Sequence, residues 1–145
     1  MKKMAGDFVH GNVIYVKEED SMKKAWQLMR DNGIRHLVVF GDGHQLTGVL
    51  SDRDVKLAMS SFIDVEDGAR KVRISLDPEL LVLDYMSYPV ESVGLEAPVE
   101  DIVKRLLQQK ISAVVVFDQG KVHGVISYED LLKEYLELCA VKKAA

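Results

Sequence analysis

The sequence predicts an α+β fold built from two copies of one β-α-β-β-α unit. Gly48–Asp54 reads Gly-Val-Leu-Ser-Asp-Arg-Asp, and Gly124–Asp130 repeats the pattern as Gly-Val-Ile-Ser-Tyr-Glu-Asp, 124 − 48 = 76 residues later. Upstream, the apolar run Ile34–Phe40 matches Ile111–Phe117 at an offset of 111 − 34 = 77. The two offsets differ by one residue, and the difference falls where each copy should turn between two strands. These matches indicate a tandem repeat.

The first unit shows each element in order. A β-prone run comes first, and the apolar residues that follow Met22 recur at i, i+3, i+4 and i+7, which is the spacing of one helix face. Asp20 or Ser21 can cap this helix, and Asn32-Gly33 is typical of its end. The remaining apolar runs predict two paired strands and a closing helix. The expected elements are strand Val13–Val16, a helix ending at Asn32-Gly33, strands Leu37–Phe40 and Leu46–Leu50, and a helix from Asp52.

The second unit repeats this order. Pro98 suits the first position of a helix, and the residues after it form an apolar stripe. The predicted elements are strand Pro89–Val93, a helix opening at Pro98, strands Val114–Phe117 and Val122–Ile126, and a closing helix Tyr128–Leu138. The segment between the units, residues 62–77, is charged and is read as an exposed loop or linker, followed by a helix at Pro78–Met86.

Composition excludes several classes of protein. The chain has 145 residues, is 48% hydrophobic and carries a net charge of −4, which is typical of a globular domain and unfavourable for nonspecific binding of nucleic acid. It contains no apolar run long enough to span a membrane. The single cysteine, Cys139, excludes an internal disulfide framework and fits a cytoplasmic location.

The sequence offers no catalytic or metal-binding constellation. The four histidines, His10, His36, His44 and His123, lack metal-ligand spacing, and there is no CxxC motif. There is also no GxGxxG motif, P-loop or nucleophile elbow, and Ser51 has no evident base partner. We therefore expect neither an enzyme nor a resident metal or cofactor.

The repeated motif suits a polar ligand. In each copy an apolar strand ends in a serine, and an acidic residue follows three positions later, where a helix should begin. Serine can accept hydrogen bonds from the first N–H groups of that helix. The same junction presents donors and polar side chains of the kind that bind sugar hydroxyls and phosphates. Helix capping alone is the alternative interpretation of both serines.

Two β-α-β-β-α units, each with Gly-apolar-apolar-Ser-x-x-Asp after the last strand, resemble a tandem pair of CBS domains, a Bateman module. Asp84–Val90 also looks like the segment that opens such a repeat. The resemblance covers about Val9 to Leu138 and implies repeat 1 at 9–61, a linker at 62–77 and repeat 2 at 78–138. It further implies packing about a pseudo-twofold axis, with two clefts that commonly take AMP, ADP, ATP or S-adenosylmethionine.

The resemblance implies roles for the motif residues. Asp54 and Asp130 would accept hydrogen bonds from the ribose hydroxyls, with Ser51 and Ser127 reaching ribose or phosphate beside them. A carboxylate suits a vicinal diol because both hydroxyls are donors. Arg53 could hold phosphates, whereas the matching Glu129 would repel them. The cleft of the first motif is therefore expected to be the better nucleotide site.

By the same resemblance, each cleft borrows the start of the central strand of the other unit. Small residues there, Ser112, Ala113 and Val114, would complete the first cleft against an adenine ring, with Ser92 and Val93 nearby. The matching residues of the first unit, Arg35 and His36, are larger; they would either reach phosphates or pair with carboxylates at the unit interface.

Two functions remain open from the sequence. The first is a regulatory module that senses an adenosine-containing ligand and signals to an unknown effector protein by a change in conformation, with no bond made or broken. The second is a structural or dimerisation module without nucleotide binding. In both cases the resemblance implies a homodimer that uses the apolar helices at Val55–Met59 and Leu131–Leu138.

Overall fold

The structure, a computed structural model, describes residues 3–144, with the side chains of residues 61–64 and 66 outside the description. Two β-α-β-β-α repeats are present, which confirms the predicted mixed fold of strands and helices. In chain order the strands and helices are β1 (Tyr15–Lys17), α1 (Met22–Asn32), β2 (His36–Phe40), β3 (Leu46–Ser51), α2 (Asp52–Ala58), β4 (Ser60–Glu66), β5 (Ala69–Ser75), β6 (Ser92–Val93), α3 (Val99–Gln109), β7 (Ala113–Asp118), β8 (Lys121–Ser127) and α4 (Tyr128–Ala144).

The chain forms two compact units, and each unit includes the segment that opens the other repeat. One unit runs from Ile14 to Pro89, and the other contains residues 3–13 and 90–144 of the described chain. The repeat bounds 9–61 and 78–138 stay a prediction, whereas each compact unit contains parts of both predicted repeats. Backbone hydrogen bonds and side-chain packing place the opening segment of each repeat in its unit. Ser87 exchanges two backbone hydrogen bonds with Val49 in the first unit, at 2.9 and 3.1 Å, while the N-terminal segment packs on the second sheet.

The first unit is a three-stranded sheet covered by helices. Strand β1 lies parallel to β2, and β3 runs antiparallel to β2 on its other side. Ser21 caps the start of helix α1, since its Oγ accepts a hydrogen bond from the Lys24 N–H at 3.1 Å, and Gly33 caps its end with a left-handed φ of 61°. The hydrophobic core of this unit comprises the buried residues Val16, Met22, Ala25, Met29, Leu37, Val39, Leu50, Val55, Ala58 and Val82.

The second unit repeats the sheet with β6 parallel to β7 and β8 antiparallel to β7. Pro98 is the N-cap of α3 rather than its first residue, and α4 extends to Ala144, beyond the predicted end at Leu138. The Lys3 ammonium donates to the Glu134 carboxylate at 2.5 Å, so the N-terminal segment is tied to α4. The core residues of this unit are Ala5, Val93, Ile102, Leu106, Val114, Val116 and Ile126.

The segment predicted as an irregular linker, residues 62–77, is instead a β-hairpin. Strands β4 and β5 pair in register from Ser60↔Ser75 to Glu66↔Ala69. They are joined by Asp67-Gly68, whose φ angles of 50° and 77° are both positive. Two positive φ values are what a two-residue hairpin turn requires, and Asp-Gly is a favoured pair for it. The composition of the segment suggested a loop, but its turn residues select a hairpin.

The helix predicted at Pro78–Met86 is reduced to a single 3-10 turn at Val82–Asp84. The main chain before this turn is held by the start of α1, because the Leu80 carbonyl accepts from the Met22 N–H at 2.8 Å and the Val82 N–H donates to the Asp20 carbonyl at 2.9 Å. These bonds hold the segment extended. Among residues 3–144, no helix combines the length and the apolar character that crossing a bilayer requires.

Candidate functional site

The first repeated motif forms a reciprocal cap at the junction of β3 and α2. Ser51 Oγ accepts a hydrogen bond from the Asp54 N–H at 3.2 Å, and Asp54 Oδ2 accepts from the Ser51 N–H at 2.8 Å. The Ser51 hydroxyl also donates to Asp54 Oδ2 at 3.0 Å. This capping box satisfies backbone donors that would otherwise lack partners at the start of the helix.

The second motif has the same geometry at the junction of β8 and α4. Asp130 Oδ2 accepts from the Ser127 N–H at 2.8 Å and from the Ser127 hydroxyl at 3.1 Å. The Asp130 N–H donates to Ser127 Oγ at 3.4 Å. The capping interpretation of the sequence therefore accounts for one oxygen of each carboxylate.

The other carboxylate oxygen of each motif remains available. Within the part of the chain that the structure describes, Asp54 Oδ1 and Asp130 Oδ1 accept no hydrogen bond. Both aspartates are partly exposed. Each motif thus holds a carboxylate in a fixed orientation with one acceptor oxygen open to a donor.

The two motifs differ in charge. Arg53 is exposed and has no ion-pair or hydrogen-bond partner among the residues that the structure covers. At the matching position, Glu129 is an anion that lies 3.4 Å from the Lys133 ammonium. The first motif therefore presents a cation to a ligand, and the second an ion pair.

The start of each central strand lies beside the motif of its own unit. In the first unit, the Asp52 N–H donates to the Arg35 carbonyl at 2.9 Å, and His36 pairs with Ser51 across the sheet. The structure thus brings Arg35 and His36 next to the Ser51–Asp54 cap. Both side chains also interact with other residues of the chain.

In the second unit, the Tyr128 N–H donates to the Ser112 carbonyl at 3.1 Å, and Ala113 pairs with Ser127. Ser112 and Ala113 therefore lie beside the Ser127–Asp130 cap. Val114 and Val93 are buried in the core of this unit, so either could reach a ligand only through its main chain. The predicted completion of the first cleft by Ser112, Ala113 and Val114 stays a prediction.

One neighbour of the predicted cleft residues was missed from the sequence. Arg105 on α3 donates through Nη1 to the Ser92 carbonyl at 2.6 Å, and the same nitrogen lies 3.7 Å from the Glu91 carboxylate. It thereby fixes the short strand β6. No sequence signal marks this arginine, because the matching residue of the first repeat, Leu28, is apolar.

The segment that opens the second repeat, Asp84–Val90, was predicted from the sequence, but its counterpart at the start of the chain was missed. Asp7-Phe8-Val9 matches Asp84-Tyr85-Met86 at an offset of 84 − 7 = 77, the same as that of the apolar strands. The first residue of each segment is the last residue of a 3-10 turn, at Ala5–Asp7 and at Val82–Asp84. The repeated offset was the signal that could have identified the first of them.

The described part of the chain contains no group of three or more His, Cys, Asp or Glu side chains placed to hold a metal ion. The chemistry that the two motifs offer is recognition: a fixed acceptor oxygen, a serine hydroxyl and, in the first motif, a cation.

Comparison with known proteins gives consistent matches. A family model of the CBS domain matches residues 5–61 and 82–137. An inosine-5′-monophosphate dehydrogenase from Korarchaeum cryptofilum is 32% identical over 130 residues, covering 89% of this chain and 24% of the enzyme. The chain therefore spans about a quarter of the length of that relative.

Two further matches extend over nearly the whole of both chains. Hypoxic response protein 1 of Mycobacterium tuberculosis is 22% identical over 139 residues, which is 95% of this chain and 89% of that protein. A CBS domain pair solved in complex with 5′-methylthioadenosine and S-adenosyl-L-methionine superposes with a TM-score of 0.73 at 18% identity, covering 93% of this chain and 97% of the other. This structural likeness supports the fold of two repeats.

Proposed function

The chain belongs to the CBS-domain family, whose model matches it twice, and from this membership we propose that it is a regulatory module that senses adenosine-containing ligands. AMP, ADP, ATP and S-adenosylmethionine are the candidates. The observation that carries the proposal is the pair of oriented carboxylates, each with Oδ2 in the cap and Oδ1 without a partner among the described residues.

The geometry suits a ribose. The two hydroxyls of a vicinal diol are donors, and a carboxylate oxygen that is already held in place by a cap costs little conformational entropy to engage. A hydrogen bond to a charged acceptor contributes roughly 1.5–3 kcal/mol. Asp54 and Asp130 are the proposed ribose acceptors, with Ser51 and Ser127 as their supporting hydroxyls.

We assign the stronger nucleotide site to the first motif. The exposed Arg53 can approach a phosphate without first leaving an ion pair, and Arg35 and His36 add further basic groups next to the same cap. Glu129 opposes a phosphate at the second motif. Ser92, Val93, Ser112, Ala113 and Val114 remain the proposed contacts for the adenine.

The ligand class has support from a relative. The CBS domain pair described above was solved with two adenosine derivatives bound. We propose that ligand binding here changes the conformation of the module and is passed to an effector protein, with no chemical step.

The test is a thermal-shift series with AMP, ADP, ATP and S-adenosylmethionine, followed by calorimetry on any ligand that shifts the melting temperature. A ligand at 100 times its dissociation constant stabilises the folded state by about 2.7 kcal/mol. The sharpest control is 2′,3′-dideoxy-AMP, which keeps the base and phosphate but lacks the diol. We expect AMP to bind more tightly than this analogue. The absence of any shift, or equal binding of AMP and the analogue, would contradict the proposed ribose site.

A homodimer is a second proposal, and a specific feature favours it. Helix α4 has no fully buried residue and exposes apolar side chains that include Leu132 and Leu136, at 64% and 67%. Its first turn is acidic and its last turn carries Lys142 and Lys143. Two copies of α4 packed antiparallel would place each acidic end against a basic end. If no ligand binds, dimerisation through this helix is the remaining function.

A further inference from the structure

The hairpin β4–β5 is a separate two-stranded sheet. Among the residues that the structure describes, β4 and β5 pair only with each other, and all seven residues of β5 are exposed. An isolated two-stranded hairpin is only marginally stable in water. The outer edge of such a strand presents backbone N–H and C=O groups that can pair with another strand.

The charge of the hairpin is divided between its strands. Strand β5 has the sequence Ala-Arg-Lys-Val-Arg-Ile-Ser, with three cations and no anion, whereas the whole chain carries a net charge of −4. Strand β4 and the turn contain three carboxylates and no cation. Two copies that paired β5 with β5, or β4 with β4, about a twofold axis would set like charges opposite each other, which is destabilising. The charges therefore oppose symmetric self-pairing at this hairpin.

The apolar residues of β5 point to the kind of partner that its edge would accept. Val72 and Ile74 are 65% and 67% exposed and alternate with cations along the strand. A strand in which acidic and aliphatic residues alternate would match both properties. A nucleic acid backbone would satisfy the cations but leave the aliphatic side chains in water.

We propose that the outer edge of β5 docks an extended acidic segment of a partner protein, which adds to the hairpin as a third strand. Main-chain hydrogen bonds to the edge supply affinity. The contacts of carboxylates with Arg70, Lys71 and Arg73, of which Lys71 and Arg73 also interact with other residues of the chain, supply the preference for acidic sequences. This docking surface is independent of the two Ser-x-x-Asp motifs.

The test uses the full chain and two synthetic probes, acetyl-(Val-Glu)₃-amide and acetyl-(Val-Lys)₃-amide. Fluorescence anisotropy measures affinity, and hydrogen exchange locates the binding site. The acidic peptide is expected to bind and to slow exchange within residues 69–75, while the basic peptide does not bind. The double variant Arg70→Glu/Arg73→Glu is expected to lower the affinity for the acidic peptide by about tenfold or more.

Matched variants separate this effect from net charge and from misfolding. Lys104→Glu/Lys121→Glu changes the net charge by the same amount on the second unit and should leave peptide binding unchanged. If the charge reversal disrupts the hairpin, Arg70→Gln/Arg73→Gln removes the cations without adding acids beside β4, and it should still weaken binding. The proposal is wrong if both peptides or neither binds, if the arginine variants bind normally, if protection appears outside the hairpin, or if oligo-dT binds more tightly than the acidic peptide.

Discussion

Gly48 lies directly beneath Met86 in the first unit. A Cβ placed on Gly48 would come within 2.7 Å of the Met86 Sδ and 3.1 Å of the Ser87 carbonyl oxygen. In the second unit a Cβ on Gly124 would lie 2.7 Å from Val9 Cγ1 and 3.0 Å from its Cβ. The glycine that opens each repeated motif is therefore required because an opening segment crosses the strand at that point.

We predict that both Gly48→Ala and Gly124→Ala destabilise the protein, by about 1–3 kcal/mol, as overpacked sites do. Gly124→Ala should cost more, because Val9 is branched and stiff whereas the end of Met86 can move. The measurement is the midpoint of urea unfolding. Gly6→Ala is the control, since its Cβ would meet its nearest neighbour at an ordinary 3.4 Å. Adding Val9→Ala to Gly124→Ala should recover part of the loss, and no recovery would contradict the steric explanation.

The sequence predicts the repeated fold well for a physical reason. The buried strands are continuous apolar runs, such as Leu37–Phe40, and the pattern of Met22, Ala25 and Met29 places one face of α1 in the core. The Ser-x-x-Asp caps are also local, since each depends on residues three positions apart. Local interactions of this kind can be read from a single sequence.

The remaining features depend on pairing between distant residues. The packing of Val9 on Gly124 and of Met86 on Gly48 joins residues far apart in the chain, and its sequence signals are the two glycines and the repeated offset of the opening segments. The hairpin β4–β5 was recognisable only from Asp67-Gly68, because its exposed strands lack a buried face. Arg105 reaches Ser92 across 13 residues, and only the folded chain shows that contact.

Asp54→Asn is expected to separate capping from ligand binding. The amide oxygen of asparagine can still accept from the Ser51 N–H, so the free energy of unfolding should fall by no more than about 1 kcal/mol. The affinity for AMP should fall by about tenfold or more, because a charged acceptor for the ribose is lost. Urea unfolding and calorimetry measure the two quantities. Ser51→Ala is the comparison, since it removes the cap; a loss of stability without any loss of affinity in Asp54→Asn would assign the residue to capping alone.

Arg53→Ala is predicted to lower the affinity for ATP more than the affinity for S-adenosylmethionine. ATP brings several negative charges to the site, while S-adenosylmethionine carries a sulfonium cation and no phosphate. A partly screened charge pair at the surface contributes on the order of 1 kcal/mol, so the expected loss for ATP is about fivefold. The matched change in the second unit is Glu129→Arg, which should strengthen ATP binding there. Calorimetry on both variants measures the affinities, and unchanged affinity for ATP in Arg53→Ala would remove this residue from the site.

Asp20 makes stability depend on acid pH. Partial burial acts to raise the pKa of its carboxyl, but hydrogen bonds from the Lys17 N–H and the Lys24 ammonium, at 2.8 and 3.1 Å, together with the lysine charges, lower the pKa below 3.8. A lowered folded-state pKa adds stability above the unfolded value, and this stability is lost as the pH falls through the folded value. Urea unfolding of Asp20→Asn should therefore show a deficit at neutral pH that closes below about pH 3.8. Lys24→Met keeps the Lys17 bond and should show a smaller deficit; parallel curves for Asp20→Asn and the parent protein would contradict the assignment.

Leu136 lies halfway along the exposed stripe of α4, so a charge at this position should disrupt an antiparallel pair of α4 helices. We predict that Leu136→Lys lowers the dimer affinity by at least about tenfold, because the substitution removes a buried apolar contact and places two cations near the twofold axis. Leu107→Lys on α3 is the matched control, since Leu107 is 65% exposed and Leu136 is 67% exposed. Sedimentation velocity at micromolar concentration measures the association. A monomeric parent protein would contradict the dimer, and equal weakening by both variants would place the interface away from α4.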